Sequence, residues 1–238
     1  MATRLYLSAA AETTGILPSF AYSGWDDTSI MARVRGTTQK RGLPMTTINF
    51  TDADSTDKNI GFRQIITNPI TSGTLSVDSL ISVVFRCCEY TTGADLFIAL
   101  AARIMDKTGT IVRKDLMPGS VTIARASVDL GWTELDDTGW DGDVNEARFY
   151  QVAITQSYAP VAGDRLVLEI GLGGDPTGSN THTSRMVLGD NSATDLGPSS
   201  GGTNPFNPWI ELEANLTFQA DPTVWIKGGT ILGNTTIK

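Results

Sequence analysis

The residues best placed to do chemistry are the acidic side chains between positions 126 and 147. This stretch contains no Lys or Arg and carries seven carboxylates: Asp129, Glu134, Asp136, Asp137, Asp141, Asp143 and Glu146. Oxygen-bearing residues alternate from Asp141 to Asn145, as in loops that bind Ca²⁺. The sixth loop position is not Gly, however, and the twelfth is Val152 where an EF-hand has Glu. The sequence therefore excludes an EF-hand and leaves three interpretations: a looser calcium loop, a solvated acidic face, or a patch for a basic partner.

Two tryptophans, Trp132 and Trp140, lie in the same acidic stretch. Aromatic rings beside carboxylates such as Asp141 and Asp143 are typical of sugar-binding sites and of protein interfaces. Packing of both indoles in a core is the competing interpretation. The stretch is thus a candidate binding loop for a glycan or a protein, and we predict no bound metal or cofactor.

The sequence offers little evidence for a catalytic site. His182 is the only histidine and follows the polar residues Gly178–Thr181, which predicts an exposed loop without a Gly-x-Ser-x-Gly turn. A zinc site requires more spaced Cys and His residues than are present. A glycosidase requires two carboxyl groups about 5–10 Å apart across a cleft, which sequence alone does not place. We therefore predict a protein that is not an enzyme.

The composition of the chain argues against some classes of binding partner. The 238 residues have a formal net charge of −8, and such a surface opposes binding to the phosphate backbone of nucleic acids. No apolar run approaches the roughly 20 residues of a membrane-spanning helix. Cys87 and Cys88 are adjacent, which predicts two reduced thiols and not a disulfide-linked scaffold. Leu5–Ala11 is too short and polar for a signal peptide, so we expect synthesis in the cytoplasm.

The hydrophobic pattern predicts strands joined by turns. Apolar and polar residues alternate from Ile210 to Phe218, which predicts one long strand with a single buried face and a buried Trp209 before it. Residues 94–105 have helix-forming Ala and Leu, but the hairpin signal at Asp106–Gly109 favours a strand. The residues from Gly73 to Glu89 are expected to form a long strand with a bend or bulge near Asp78. Turn signals recur at the spacing typical of an all-β, antiparallel β-sandwich with a jelly-roll-like arrangement, formed by residues 1–220.

The last residues, 221–238, differ in character. Pro222 ends the preceding strand, and the segment that follows combines glycines with large apolar residues: Trp225, Ile226, Ile231 and Leu232. So short a segment cannot form a core of its own. It either folds back on its own sheet or adds a strand to a neighbouring subunit. We favour the second interpretation, a C-terminal assembly arm with these four residues at the interface, because they would be an aggregation hazard on a free edge.

The order and spacing of the strand-like blocks resemble those of β-sandwich proteins from the structural gene clusters of tailed bacteriophages. The blocks are Met1–Leu7, Gly163–Gly171, Ser184–Leu196 and Pro208–Phe218. The resemblance implies a minor structural protein of a virion, such as a capsid cement or decoration protein or a tail-associated subunit. Its implied partners are other virion proteins and further copies of itself, after assembly in the host cytoplasm. A carbohydrate-binding or receptor-binding module on the particle is the alternative function.

Overall fold

A computed structural model describes residues 2–11, 16, 24–29, 31–38, 46–52, 58–89, 96–117, 122–123, 147–174, 182–188, 194–197, 207–219, 225–227 and 230–232. Every regular element in these ranges is a β-strand, so the predicted all-β class is confirmed. In chain order the strands are β1 Thr3–Ala11, β2 Ala32–Thr37, β3 Thr46–Asp52, β4 Lys58–Thr67, β5 Ile70–Ser72, β6 Leu80–Glu89, β7 Leu96–Met105 and β8 Val112–Asp115. They continue as β9 Thr122–Ile123, β10 Ala147–Ala153, β11 Arg165–Gly174, β12 His182–Leu188, β13 Trp209–Leu212, β14 Thr217–Phe218, β15 Trp225–Lys227 and β16 Thr230–Leu232.

Twelve of the described strands form one sheet, in the order β3-β12-β6-β13-β1-β2-β4-β11-β7-β8, with β10 added to β6 and β9 to β7. Its strand pairs are antiparallel except for the parallel pair β2 and β4. The sheet forks at β6. Residues 81–84 of β6 pair with β13, residues 86–89 pair with β12, and residues 80–86 pair with β10. Since residues 81–84 and Arg86 each pair on two sides, β10 lies along one edge of β6 while β13 and β12 share the other.

The central strands are buried on both faces. In β11, the residues from Leu166 to Gly173 are all buried, and one face of the strand, with Leu166, Leu168 and Ile170, packs into the main hydrophobic core. β7 is likewise buried from Ile98 to Met105, which confirms a strand where the helix was the competing interpretation. Near-continuous apolar runs, and not strict alternation, are typical of strands covered on both faces.

The predicted strand from Ile210 to Phe218 is wrong as a single element. Pairing stops after Leu212 and resumes only in β14, which pairs with β5. The Thr3 hydroxyl explains the interruption, because it donates to the carbonyl oxygen of Ala214 at 2.9 Å and accepts from the Leu216 amide at 2.8 Å. The alternation of burial nevertheless continues across the break: Leu212, Ala214 and Leu216 are buried, whereas Glu213 and Asn215 are exposed. Trp209 is buried, as predicted.

The predicted hairpin at Asp106–Gly109 is confirmed by the antiparallel pairing of β7 with β8. The Asp106 carboxylate accepts hydrogen bonds from the Thr108 hydroxyl at 2.6 Å and from the amides of Thr110 and Ile111 at 2.9 and 3.0 Å. Gly109 has a φ of 72°, a left-handed conformation that glycine adopts without a steric penalty. These hydrogen bonds hold the pKa of the Asp106 carboxyl well below its usual range.

The predicted long strand from Gly73 to Glu89 is regular only from Leu80, and the bend or bulge predicted near Asp78 is a turn before it. Asp78 has a φ of 66°, and β6 begins two residues later, at Leu80. The turn is attached to the segment that follows β10, because the Asp78 amide donates to the carbonyl oxygen of Ile154 and the Ile154 amide donates to that of Ser79, both at 2.9 Å.

In the C-terminal segment, the described strands pair with each other. β15 and β16 form an antiparallel two-stranded ribbon in which Trp225 lies opposite Leu232, Ile226 opposite Ile231, and Lys227 opposite Thr230. The four predicted interface residues therefore occupy paired positions of one hairpin.

Candidate functional site

A row of polar residues crosses the second face of the central strands, opposite the main core. Because Leu168 and Ile170 face the core, Glu169 between them faces the other way. Glu169 lies opposite Gln64 of β4, and Gln64 lies opposite Arg33 of β2. Arg103 of β7, opposite Val167, completes a set of four residues that we call the polar row: Arg33, Gln64, Glu169 and Arg103.

The Glu169 carboxylate is the centre of the polar row. Its Oε1 accepts hydrogen bonds from Gln64 Nε2 at 2.8 Å and from Arg103 Nη2 at 3.0 Å. Its Oε2 accepts from the indole Nε1 of Trp25 at 2.8 Å. Both carboxylate oxygens are thus used by donors that come from three different parts of the chain.

Gln64 extends the network to β2, since its Oε1 accepts a hydrogen bond from Arg33 Nε at 3.2 Å. The side chains of Arg103 and Glu169 are only 5% and 1% exposed, so this ion pair is almost completely removed from water. Burial raises the pKa of Glu169, and the Arg103 charge and the hydrogen bonds from Gln64 and Trp25 oppose that rise. Breaking such a buried pair from one side leaves an uncompensated charge in a medium that solvates it poorly.

Trp25 packs on a floor of small residues. Gly61, Gly171 and Ala99 lie opposite one another on β4, β11 and β7. A Cβ added at Gly171 would overlap the Ile60 carbonyl and lie 2.8 Å from Cζ3 of the indole, and one at Gly61 would overlap Cε of Met31. The absence of side chains at both glycines therefore lets the Trp25 ring approach the sheet and reach Glu169.

Backbone hydrogen bonds hold residues 24–29 over this floor. The amides of Asp26 and Asp27 donate to the Asn59 carbonyl oxygen at 2.8 and 3.3 Å, and the Gly61 amide donates to the Asp27 carbonyl oxygen at 2.8 Å. The Asp26 carboxylate accepts from the Asn59 amide at 2.8 Å. The segment is thus joined to β4 by its main chain and to β11 by one indole.

Chemically, this arrangement favours a structural role for Glu169. A general base requires a free lone pair directed at a substrate proton, whereas three donors of the protein already occupy this carboxylate. Arg103 and the amide of Gln64 also present N–H groups to the place where a cation would bind. Within the described residues, no group of three or more His, Cys, Asp or Glu residues could hold a metal ion.

A second cluster lies on the neighbouring strands β1 and β13, which are far apart in sequence. Arg4 of β1 donates to Asp195 through Nη1 at 2.7 Å and to Glu211 of β13 through Nε at 2.9 Å. Its guanidinium lies 3.9 Å from the ring centroid of Trp209. Trp209 in turn donates from Nε1 to the Leu196 carbonyl oxygen at 2.8 Å. Together these contacts hold residues 194–197 against β1 and β13.

Sequence reasoning missed both clusters. The available signal was a polar residue within a run of apolar ones: Glu169 alone in Leu166–Leu172, Arg103 alone in Leu96–Met105, and Gln64 next to Arg63 in Ile60–Ile66. A strand that is buried on both faces has no solvated side for such a residue. Each therefore requires a polar partner inside the protein.

The candidate binding loop with Trp132, Trp140, Asp141 and Asp143 lies outside the described residues. The interface residues Trp225, Ile226, Ile231 and Leu232 lie in β15 and β16 and belong to neither polar cluster. His182 was predicted in a loop, but it is the first residue of β12 and lies opposite Asp52. Among the described residues, there is no helix long and apolar enough to cross a lipid bilayer.

Comparison with known proteins gives few matches. No protein-family model matches the sequence, and no curated protein matches it significantly. A CocE/NonD family hydrolase from Staphylococcus aureus is similar with a TM-score of 0.43 at 10% identity, over 89% of this chain and 36% of the hydrolase. A chain of infectious bursal disease virus, Gx strain, gives a TM-score of 0.20 at 13% identity, over 76% of this chain and 44% of the viral one. At these TM-scores, neither likeness bears on the function of this chain.

Proposed function

We propose that this chain is a non-enzymatic structural subunit of a tailed-phage virion, most simply a capsid cement or decoration protein or another minor structural protein. In this proposal the curled sheet is a jelly-roll-like β-sandwich of residues 1–220. Residues 221–238 form an arm that contacts a neighbouring subunit, either another virion protein or a second copy of the chain.

The observation that carries the proposal is the register of the C-terminal hairpin. Directly opposed residues of an antiparallel pair share a face, and successive residues alternate between faces. The pair Trp225 and Leu232 therefore belongs to one face of the ribbon and the pair Ile226 and Ile231 to the other. Apolar residue types therefore occur at paired positions on both faces of the ribbon, and an isolated hairpin is marginally stable in water.

The use of the polar residues also supports a structural role. The carboxylate of Glu169 joins β11 to three other parts of the chain, and the guanidinium of Arg4 joins β1 to two others. Both groups serve contacts within the subunit, as expected of a protein that must keep its shape while it bears contacts with neighbours. The alternative function, a glycan-binding or receptor-binding module, depends on the acidic stretch around Trp132 and Trp140.

Removal of the arm tests the proposal. The chain truncated after Ala220 should remain folded, with an unchanged free energy of unfolding, but should no longer self-associate in sedimentation velocity or bind to particles. The finer test is Ile226→Ser with Ile231→Ser, which makes one face of the ribbon polar. Its matched control is Lys227→Ser with Thr230→Ser, which changes the neighbouring pair and should leave association intact.

Two results would contradict the proposal. The first is a full-length chain that is monomeric at all concentrations and does not bind to particles, together with a truncated chain that unfolds, since the hairpin would then belong to its own core. The second is a shift of the melting temperature by a panel of glycans that Trp132→Ala and Trp140→Ala abolish, which would favour the alternative function.

A further inference from the structure

Arg63 is a buried arginine on the core-facing side of the sheet. It lies opposite Ile170 of β11 and Ala32 of β2, next to a β-bulge at which the register of β4 and β11 shifts between Ile170 and Gly171. Only 7% of Arg63 is exposed. Glu169, the buried carboxylate nearest to it along β11, lies on the opposite face of the sheet because successive residues of a strand alternate.

The hydrogen bonds of Arg63 are incomplete. Its Nη1 donates to the carbonyl oxygen of Phe62 at 2.7 Å, whereas its buried Nε has no acceptor in the part of the chain that the structure describes. Burial lowers the pKa of Arg63, and among the described residues no carboxylate opposes that change. The Nε of Arg103 also has no acceptor among the described residues, but Arg103 differs in its charge partner, Glu169. Arg165 donates to the carbonyl oxygens of Thr67 and Lys107.

The strand position beside Arg63 is close to solvent. Ala32, which lies opposite Arg63 and is the first residue of β2, is exposed, and so is Ser29 three residues earlier. Buried charges in proteins are as a rule paired, and a guanidinium presents its N–H donors in a planar fork that matches the oxygens of a carboxylate or phosphate.

We propose that Arg63 binds an oxyanion, a carboxylate or a phosphate group, at this end of β2. Two sources could supply it: a free anion such as inorganic phosphate, or a carboxylate of a second copy of this acidic chain, which carries 26 Asp and Glu residues. The inference depends neither on the C-terminal arm nor on a role in a virion.

Thermal unfolding of the full-length protein in phosphate tests the inference. A ligand that binds only the folded state stabilises it by mass action, so the melting temperature should rise with phosphate and not with chloride at the same ionic strength. The rise should be absent in Arg63→Met, which keeps most of the side-chain volume and removes the donors. Arg113→Met is the matched control, because it removes the same charge from a side chain that is 46% exposed, and it should keep the rise.

An NMR measurement on the unaltered chain does not depend on how a variant folds. Phosphate should shift the Nε–Hε resonance of Arg63 and leave that of Arg113 in place. If phosphate has no effect by either method but self-association of the full-length chain is weakened by Arg63→Met and not by Arg113→Met, the oxyanion is a carboxylate of a second copy. If phosphate has no effect and the association of the two variants is the same, the inference is wrong.

Discussion

The indole of Trp25 donates a 2.8 Å hydrogen bond to the carboxylate of Glu169, a residue 144 positions later in the chain. This contact ties a segment without regular structure to the most buried charge of the described sheet. Because the same carboxylate also faces Arg103 and Gln64, a change at Glu169 affects β4, β7, β11 and the Trp25 segment together. The contact therefore couples the stability of the sheet to the order of its covering segment.

Glu169→Gln should lower the free energy of unfolding by about 3–5 kcal/mol, because the Arg103 charge would lose the carboxylate that faces it. Glu213→Gln is the control. Glu213 is exposed, and an amide oxygen can still accept from the Leu80 amide, so we expect a change within about 0.5 kcal/mol. Chemical denaturation measures both values, and equal effects of the two variants would contradict the buried ion pair.

Gly171→Ala should displace Trp25, because the added Cβ would meet the Ile60 carbonyl and the indole ring. The expected result is a red-shifted tryptophan emission together with a lower melting temperature. Gly163→Ala is a useful comparison: its φ of 99° imposes backbone strain, but the nearest atom to the new Cβ is Lys107 Cβ at 3.5 Å. That variant should lose stability without a change in emission. A red shift in both variants would show that the environment of Trp25 responds to any loss of stability and not to the added Cβ at Gly171.

Leu212→Ala and Leu216→Ala should each lower the free energy of unfolding by about 2–5 kcal/mol, since both side chains are buried on one side of the interrupted strand. Asn215→Ala, on the exposed side, should stay within about 0.5 kcal/mol. Urea denaturation distinguishes the two sides. A small effect of Leu216→Ala would indicate that the chain after Leu212 does not pack on the core.

Asp106 should contribute to acid sensitivity. Its pKa is lower in the folded chain than its ordinary value of 3.8, so the unfolded chain binds more protons between the two pKa values. The contribution of Asp106 is therefore complete above pH 3.8 and is lost as the pH falls from there towards the folded pKa. Stability measured against pH should fall less steeply below that value in Asp106→Asn than in the unaltered chain, and parallel curves would contradict the prediction.

The local pattern predicted the elements better than their arrangement. The strand at Leu96–Met105 followed from the turn chemistry of Asp106–Gly109, because that turn depends on contacts close in sequence. The interruption after Leu212 was not predictable from residues 210–218, since it depends on a hydroxyl at Thr3, more than two hundred residues away.

The polar row was likewise not predictable from local sequence. Arg33, Gln64, Arg103 and Glu169 lie on four strands, and only the strand order β2-β4-β11-β7 brings them together. Their presence inside apolar runs indicates that each requires a partner, but not which one. Strand order depends on long-range pairing, which hydrophobic periodicity does not encode.

The pairing of β1 with β13 has a consequence for synthesis on the ribosome. Thr3 lies opposite Leu212, so one edge of β1 has no partner until Leu212, more than two hundred residues later, has been translated. Translation proceeds at about 5–20 residues per second. The edge of β1, and the edge of β6 that later pairs with β13, therefore stay exposed for on the order of ten seconds or more. A chaperone at the ribosomal exit would therefore protect the unpaired edge of β1 in a nascent chain of this topology. Slow codons before β13 would lengthen the period in which this edge can pair with a strand of a neighbouring chain on the same polysome.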